Sequence, residues 1–107
     1  MLISTMNDVP GYTITEVKGE VFGLTVRSRN AFSNLGASFK SLAGGELKGL
    51  TKNLQNSREE VLARLTAEAE AKGANAIVAM RFDSGDIMDQ GSEICAYGTA
   101  VVIVPNA

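Results

Sequence analysis

The chain has 107 residues, 45% of them hydrophobic, 21% charged and 6% aromatic, with a net charge of −2. This length gives a single domain, 1–107, with a core of modest size. With no histidine, one cysteine and no tryptophan, the composition excludes Ser-His-Asp and Cys-His catalysis, histidine metal ligands, intrachain disulfides and Cys-rich zinc sites. The acidic balance argues against nucleic acid as a partner, because that binding rests on neutralising phosphates.

The opening Met1-Leu2-Ile3-Ser4-Thr5 has no basic region and no long apolar run. Neither a secretory signal nor a membrane span is expected, and with a lone cysteine the expected location is cytoplasmic. Residues 1 to 10 read as a lead-in, closed by a turn at Pro10-Gly11. Tyr12 to Arg27 is β-like, but its apolar parity switches: even at Tyr12 and Ile14, odd at Val17 and Val21, even again at Phe22, Leu24 and Val26. A strand changes faces only through a bulge or a turn. Lys18-Gly19 and Gly23 are where the backbone can do so, in one long bent strand or in a pair broken near Gly19.

Phe32, Leu35, Phe39 and Leu42 have helical spacing, with Ser28 or Asn30 as cap and Gly44-Gly45 as stop. A second helical stretch carries Leu47, Leu50, Leu54, Val61, Leu65 and Ala69 on one stripe. Glu60 with Arg64, and Glu68 with Lys72, are i,i+4 pairs in the favourable order. Ser57 followed by Glu60 has the pattern of a capping box, which leaves the stretch open as one helix or two. Lys72-Gly73 ends it, with glycine just past the last turn. Asn75 to Phe82 is a strand whose even positions, Ala76, Val78, Met80 and Phe82, are all apolar and should meet the helical stripe. Asp83-Ser84-Gly85-Asp86 and Asp89-Gln90-Gly91 frame a hairpin loop. Glu93 to Val104 is the last strand, apolar on both faces, with a small-residue track at Ala96, Gly98 and Ala100. The expected fold is α+β, an antiparallel sheet with one long helix. An apolar strand of this kind leaves a monomer exposing Tyr97, Val101 and Ile103 or their opposites, so an oligomer is expected.

The charges are unevenly divided. Six basic residues and one acidic residue lie between Arg27 and Arg58, and eight acidic and three basic residues follow from Glu59 onward. Two sites come from this. Arg27, Arg29 and Asn30, where a strand runs into a helix, are candidates for binding a small anion. Asp83, Asp86, Asp89 and Glu93 are candidates for a divalent metal, the one cofactor the residues leave open; their spacing is not that of an EF-hand. The same carboxylates could instead pair with the basic segment of a neighbouring copy. Cys95, mid-strand, reads as a small hydrophobe, or as one thiolate of several meeting on a symmetry axis. No acid/base pair is poised for catalysis, and no catalytic residue is assigned.

The Gly11-Tyr12-Thr13-Ile14 opening, Ser28-Arg29-Asn30-Ala31-Phe32, Gly44-Gly45-Glu46, Gly73-Ala74-Asn75-Ala76-Ile77-Val78 and Gly98-Thr99-Ala100-Val101 together resemble the YbjQ-like family of small uncharacterised bacterial proteins. That resemblance runs nearly end to end. It implies a β-α-β-β subunit, similar to dodecin, assembled as a pentameric ring, and carries a label of heavy-metal binding. Two functions follow as alternatives. One is a homo-oligomeric binding module for a metal cation or a small anion. The other is a structural ring recognised by a protein partner, with no small ligand.

Overall fold

The computed structural model describes residues 1–28, 48–87 and 91–107. In chain order the elements are β1 (Leu2–Ile3), β2 (Tyr12–Ser28), α1 (Lys48–Ala71), β3 (Ala76–Ile87) and β4 (Gly91–Pro105). They form one sheet in the order β1-β3-β4-β2, with α1 across one face. β2 and β3 both run antiparallel to β4, but β1 pairs with β3 in parallel through Leu2↔Ala76 and Ile3↔Ile77. Among the described residues the order is therefore β-β-α-β-β, not the β-α-β-β that the resemblance implied, and the sheet is mixed where an antiparallel one was expected. A two-residue strand is too short to show any alternation in sequence; only its pairing with β3 reveals it. The predicted helix within 29–43 and its glycine stop lie outside the described residues.

Local chemistry accounts for the ends of the elements. The Val9 carbonyl accepts the Tyr12 amide at 3.0 Å across the Pro10-Gly11 turn, where Gly11 has φ +88°. Helix α1 ends with the Gly73 amide on Glu70 and the Ala74 amide on Ala69, a Schellman closure that needs the positive φ of Gly73. The Asn75 side chain then acts as an added strand residue. Its Nδ2 donates to the Ile103 carbonyl at 2.9 Å, and its Oδ1 accepts the Ile103 amide at 2.7 Å.

Bulges decide which residues face the helix. β2 carries two register shifts, between Ile14 and Glu16 and between Val17 and Gly19, so it is one long strand that changes parity near Gly19 as expected, and before Glu16 but not at Gly23, which stays in register with Ala96. β3 carries one, between Val78 and Arg81, with Ala79 in the left-handed region at φ +54°. That shift splits the predicted even row. Ala76 and Val78 point away from α1, into a cluster with Val9, Val101 and Ile103. Met80 packs on the helix side, where Ile77 joins Val21, Val61, Leu65, Ala69, Ile94, Ala96 and Ala100.

The buried row of α1 is Ser57, Val61, Leu65 and Ala69. Leu54, expected on that row, is 41% exposed; Leu47 and the side chain of Leu50 lie outside the described residues. Helix and β2 approach closely at Gly23, where an added Cβ would overlap the Val61 carbonyl and stand 2.8 Å from the Leu65 amide.

Candidate functional site

Arg27, first of the three candidate anion ligands, lies on β2 with its guanidinium turned to α1. Its Nε donates to Ser57 Oγ at 3.0 Å, and its Nη2 pairs with Glu60. Glu60 also accepts from Arg64 at 2.5 Å, the i,i+4 pair expected from sequence. Ser57 is not a cap: it is buried within a continuous helix and donates to the Asn53 carbonyl at 3.0 Å. Arg27 thus pins strand to helix, and an anion at its guanidinium competes with Glu60. Arg29 and Asn30 lie outside the described residues. The second expected helix pair does not form, because Glu68 and Lys72 bond to the backbone of β2 instead.

The three candidate carboxylates that are described do not all share one face. The hairpin strands run further than expected, to Ile87 and from Gly91, so Asp83 and Asp86 sit on a strand. Side chains alternate along a strand. Asp83 stands opposite Cys95, and Gly85 opposite Glu93, which places Asp83 and Glu93 on the face away from α1. Asp86 stands opposite Ser92 on the other face, and Asp89 lies outside the described residues. Among the described residues no three His, Cys, Asp or Glu side chains gather as metal ligands.

What the pairing does bring together is Cys95 with Asp83 directly across and Glu93 two residues along the same face. They line a small cavity of about 90 Å³ with Ser84 and Gly85. Partial burial raises the Cys95 thiol above its ordinary value, and the charges of Glu93 and Asp83 raise it further. The sequence held a signal for this, since Glu93 and Cys95 share parity, but only the register sets Asp83 beside them.

Around this cavity the sheet face is apolar, and among the described residues none packs over it. Phe22, Leu24, Val26 and Tyr97 are 49, 46, 53 and 40% exposed. Phe22 pairs with Tyr97, and Leu24 with Cys95, so these side chains are contiguous across β2 and β4. Arg81, opposite Tyr97, adds a positive charge on the β3 side. On the helix side a larger groove of about 850 Å³ runs between α1 and the hairpin, lined by Leu54, Phe82, Asp86 and Ile94, with Arg58 over the Phe82 ring at 5.2 Å.

The family model described as "Putative heavy-metal-binding" matches residues 1–104. The chain belongs to this YbjQ-like family. A UPF0145 protein of Mycobacteroides abscessus is 66% identical over 105 residues, covering 98% of each chain. One from Streptomyces coelicolor is 56% identical, covering 96% of this chain and 97% of its own. A crystal structure of a protein of unknown function from Pediococcus pentosaceus shares the fold, with a TM-score of 0.59 at 16% identity over 99% of this chain and 98% of its own. The family description and these names carry no catalytic activity. Among the described residues, no helix is long and apolar enough to cross a membrane.

Proposed function

We propose that the chain is a non-catalytic, self-associating binding module whose copies meet on the open half of the sheet face. The observation that carries this is the contiguous patch of Phe22, Leu24, Val26 and Tyr97, each at least 40% exposed. Contiguous apolar surface of this kind marks an interface. Its rim carries both signs, Arg81 against Asp83 and Glu93, so a second copy can pair charges as it covers the patch. The copy number of five comes from the family resemblance. The lone cysteine fits a reducing, cytoplasmic location.

The ligand reading that the geometry favours is a soft metal cation. Within one copy the single thiol and the two carboxylates beside it do not gather as a metal site, so ligands from several copies are needed. Copies meeting on this face bring several Cys95 side chains together, and soft metals select thiolate. The small-anion reading is weaker, because Arg27 is engaged by Glu60.

Native mass spectrometry of the full chain, with and without added cadmium or zinc, tests both parts. The expected result is a discrete pentamer that takes up metal, with Leu24→Ser/Tyr97→Ser dissociating it and Cys95→Ser abolishing uptake. A folded monomer at micromolar concentration overturns the assembly. A pentamer that takes up no metal, and whose stability is indifferent to chelator, leaves the alternative of a ring recognised by a protein partner.

A further inference from the structure

Among the described residues the sheet ends on one side in β2, a strand of 17 residues. An edge strand presents N–H and C=O groups with no strand partner, which makes it a template for pairing with another chain. Here α1 supplies partners to three of those groups, in the middle of the strand. Glu60, Arg64, Glu68 and Lys72 recur every fourth residue and so form one row along the helix. Lys72 Nζ donates to the Glu20 carbonyl at 2.9 Å, Glu68 accepts the Phe22 amide at 3.0 Å, and Arg64 donates to the Leu24 carbonyl. Glu60 completes the row by holding Arg64 and Arg27.

The match is chemical and metric. Cations lie on carbonyls and the carboxylate on the amide. The bonded residues 20, 22 and 24 are two apart, the spacing at which one side of a strand repeats its backbone groups. Four helical residues rise about 6 Å and two strand residues about 6.6 Å, so the two rows keep step over three bonds.

We propose that this row closes the β2 edge to strand addition by the β2 of a second copy. The closure stands by itself. Its consequence, that copies meet through the sheet face and not by extending the sheet, rests on the assembly reading above.

The test uses the full chain and a labelled peptide carrying the sequence of residues 20–28, with a second peptide N-methylated at alternate residues to remove its backbone donors. Arg64→Ala/Glu68→Ala opens the edge. Glu59→Ala/Glu70→Ala is the control, two exposed residues on the same helix. Glu68→Gln keeps an acceptor for the Phe22 amide. The opened variant is expected to bind the unmodified peptide at least ~10-fold more tightly than wild type, a step of about 1.4 kcal/mol. The control and Glu68→Gln should behave as wild type, and the N-methylated peptide should not bind. Equal binding by the opened variant and wild type, with the helix intact by circular dichroism, overturns the proposal, as does binding of the N-methylated peptide. Should the double variant not fold, Glu68→Ala alone decides by the same comparison. Sedimentation of the wild type is read separately: a monomer removes the assembly reading and leaves the edge closure standing or falling on the peptide.

Discussion

The two ends of the sheet are built from the same long strands and covered differently. At the end nearest the N-terminus, α1 lies on one face and the lead-in residues fold back across the other, so Val9, Ala76, Val78, Val101 and Ile103 are buried together. At the hairpin end α1 again covers one face, but among the described residues none packs over the other, and Phe22, Leu24, Val26 and Tyr97 stay 40–53% exposed. The strands are apolar at both ends. What differs, among the described residues, is whether a piece of the same chain returns to cover them. The covered end therefore contributes to folding, and the open end is where we propose that copies associate.

The largest effects should fall where cover is complete. Leu65→Ala, under the helix, and Ile103→Ala, under the lead-in segment, are each expected to lower stability by about 2–5 kcal/mol in urea unfolding. Leu54→Ala should lower it by less than about 1 kcal/mol, because that side chain is already 41% in solvent. Equal losses at Leu54 and Leu65 would show the helix packed as tightly at the hairpin end as at the other.

Next comes the crossing point. Gly23→Ala forces a methyl group into the α1 backbone and should cost about 3 kcal/mol, since neither a strand nor a helix can yield locally. Gly85→Ala, with nothing within 4 Å of its added Cβ, should stay within about 0.5 kcal/mol. The same denaturation series separates them.

At the open end, Leu24→Ser should change the unfolding of the separated chain by less than about 1 kcal/mol. The same substitution should shift sedimentation toward smaller species. A large loss of fold stability with unchanged sedimentation would mean that this face is buried within one copy after all.

The smallest effect is a rate. With its thiol raised by partial burial and by Glu93 and Asp83, Cys95 holds less thiolate near neutral pH than a free cysteine. Its alkylation by iodoacetamide should be slow at pH 7 and should rise with pH later than that of glutathione-like thiols. Glu93→Gln or Asp83→Asn should move that rise to lower pH. An unchanged pH profile in both variants would remove the two carboxylates from the thiol's surroundings.

Much of the framework was legible from residue order. The long bent β2, the helical stop at Lys72-Gly73, the Glu60–Arg64 pair and the doubly apolar last strand all rest on local chemistry, which the sequence carries in full. The candidate site was legible only in part. Asp83, Asp86 and Glu93 are neighbours in a loop if the hairpin turns early. Strand pairing that continues to Ile87 places Asp86 on the opposite face instead.

Residue order by itself determined the element types, most of their ends and the family, because periodicity, caps and turn residues act over a few positions. Tertiary structure alone decided which faces those elements present. One extra residue at the Ala79 bulge sends Ala76 and Val78 to one side of the sheet and Met80 to the other. Register sets Cys95 against Asp83, and the pitch of α1 lays Arg64, Glu68 and Lys72 along the β2 edge. These are contacts between residues 12 to 52 positions apart, and their geometry exists only once the helix and the sheet have closed on each other.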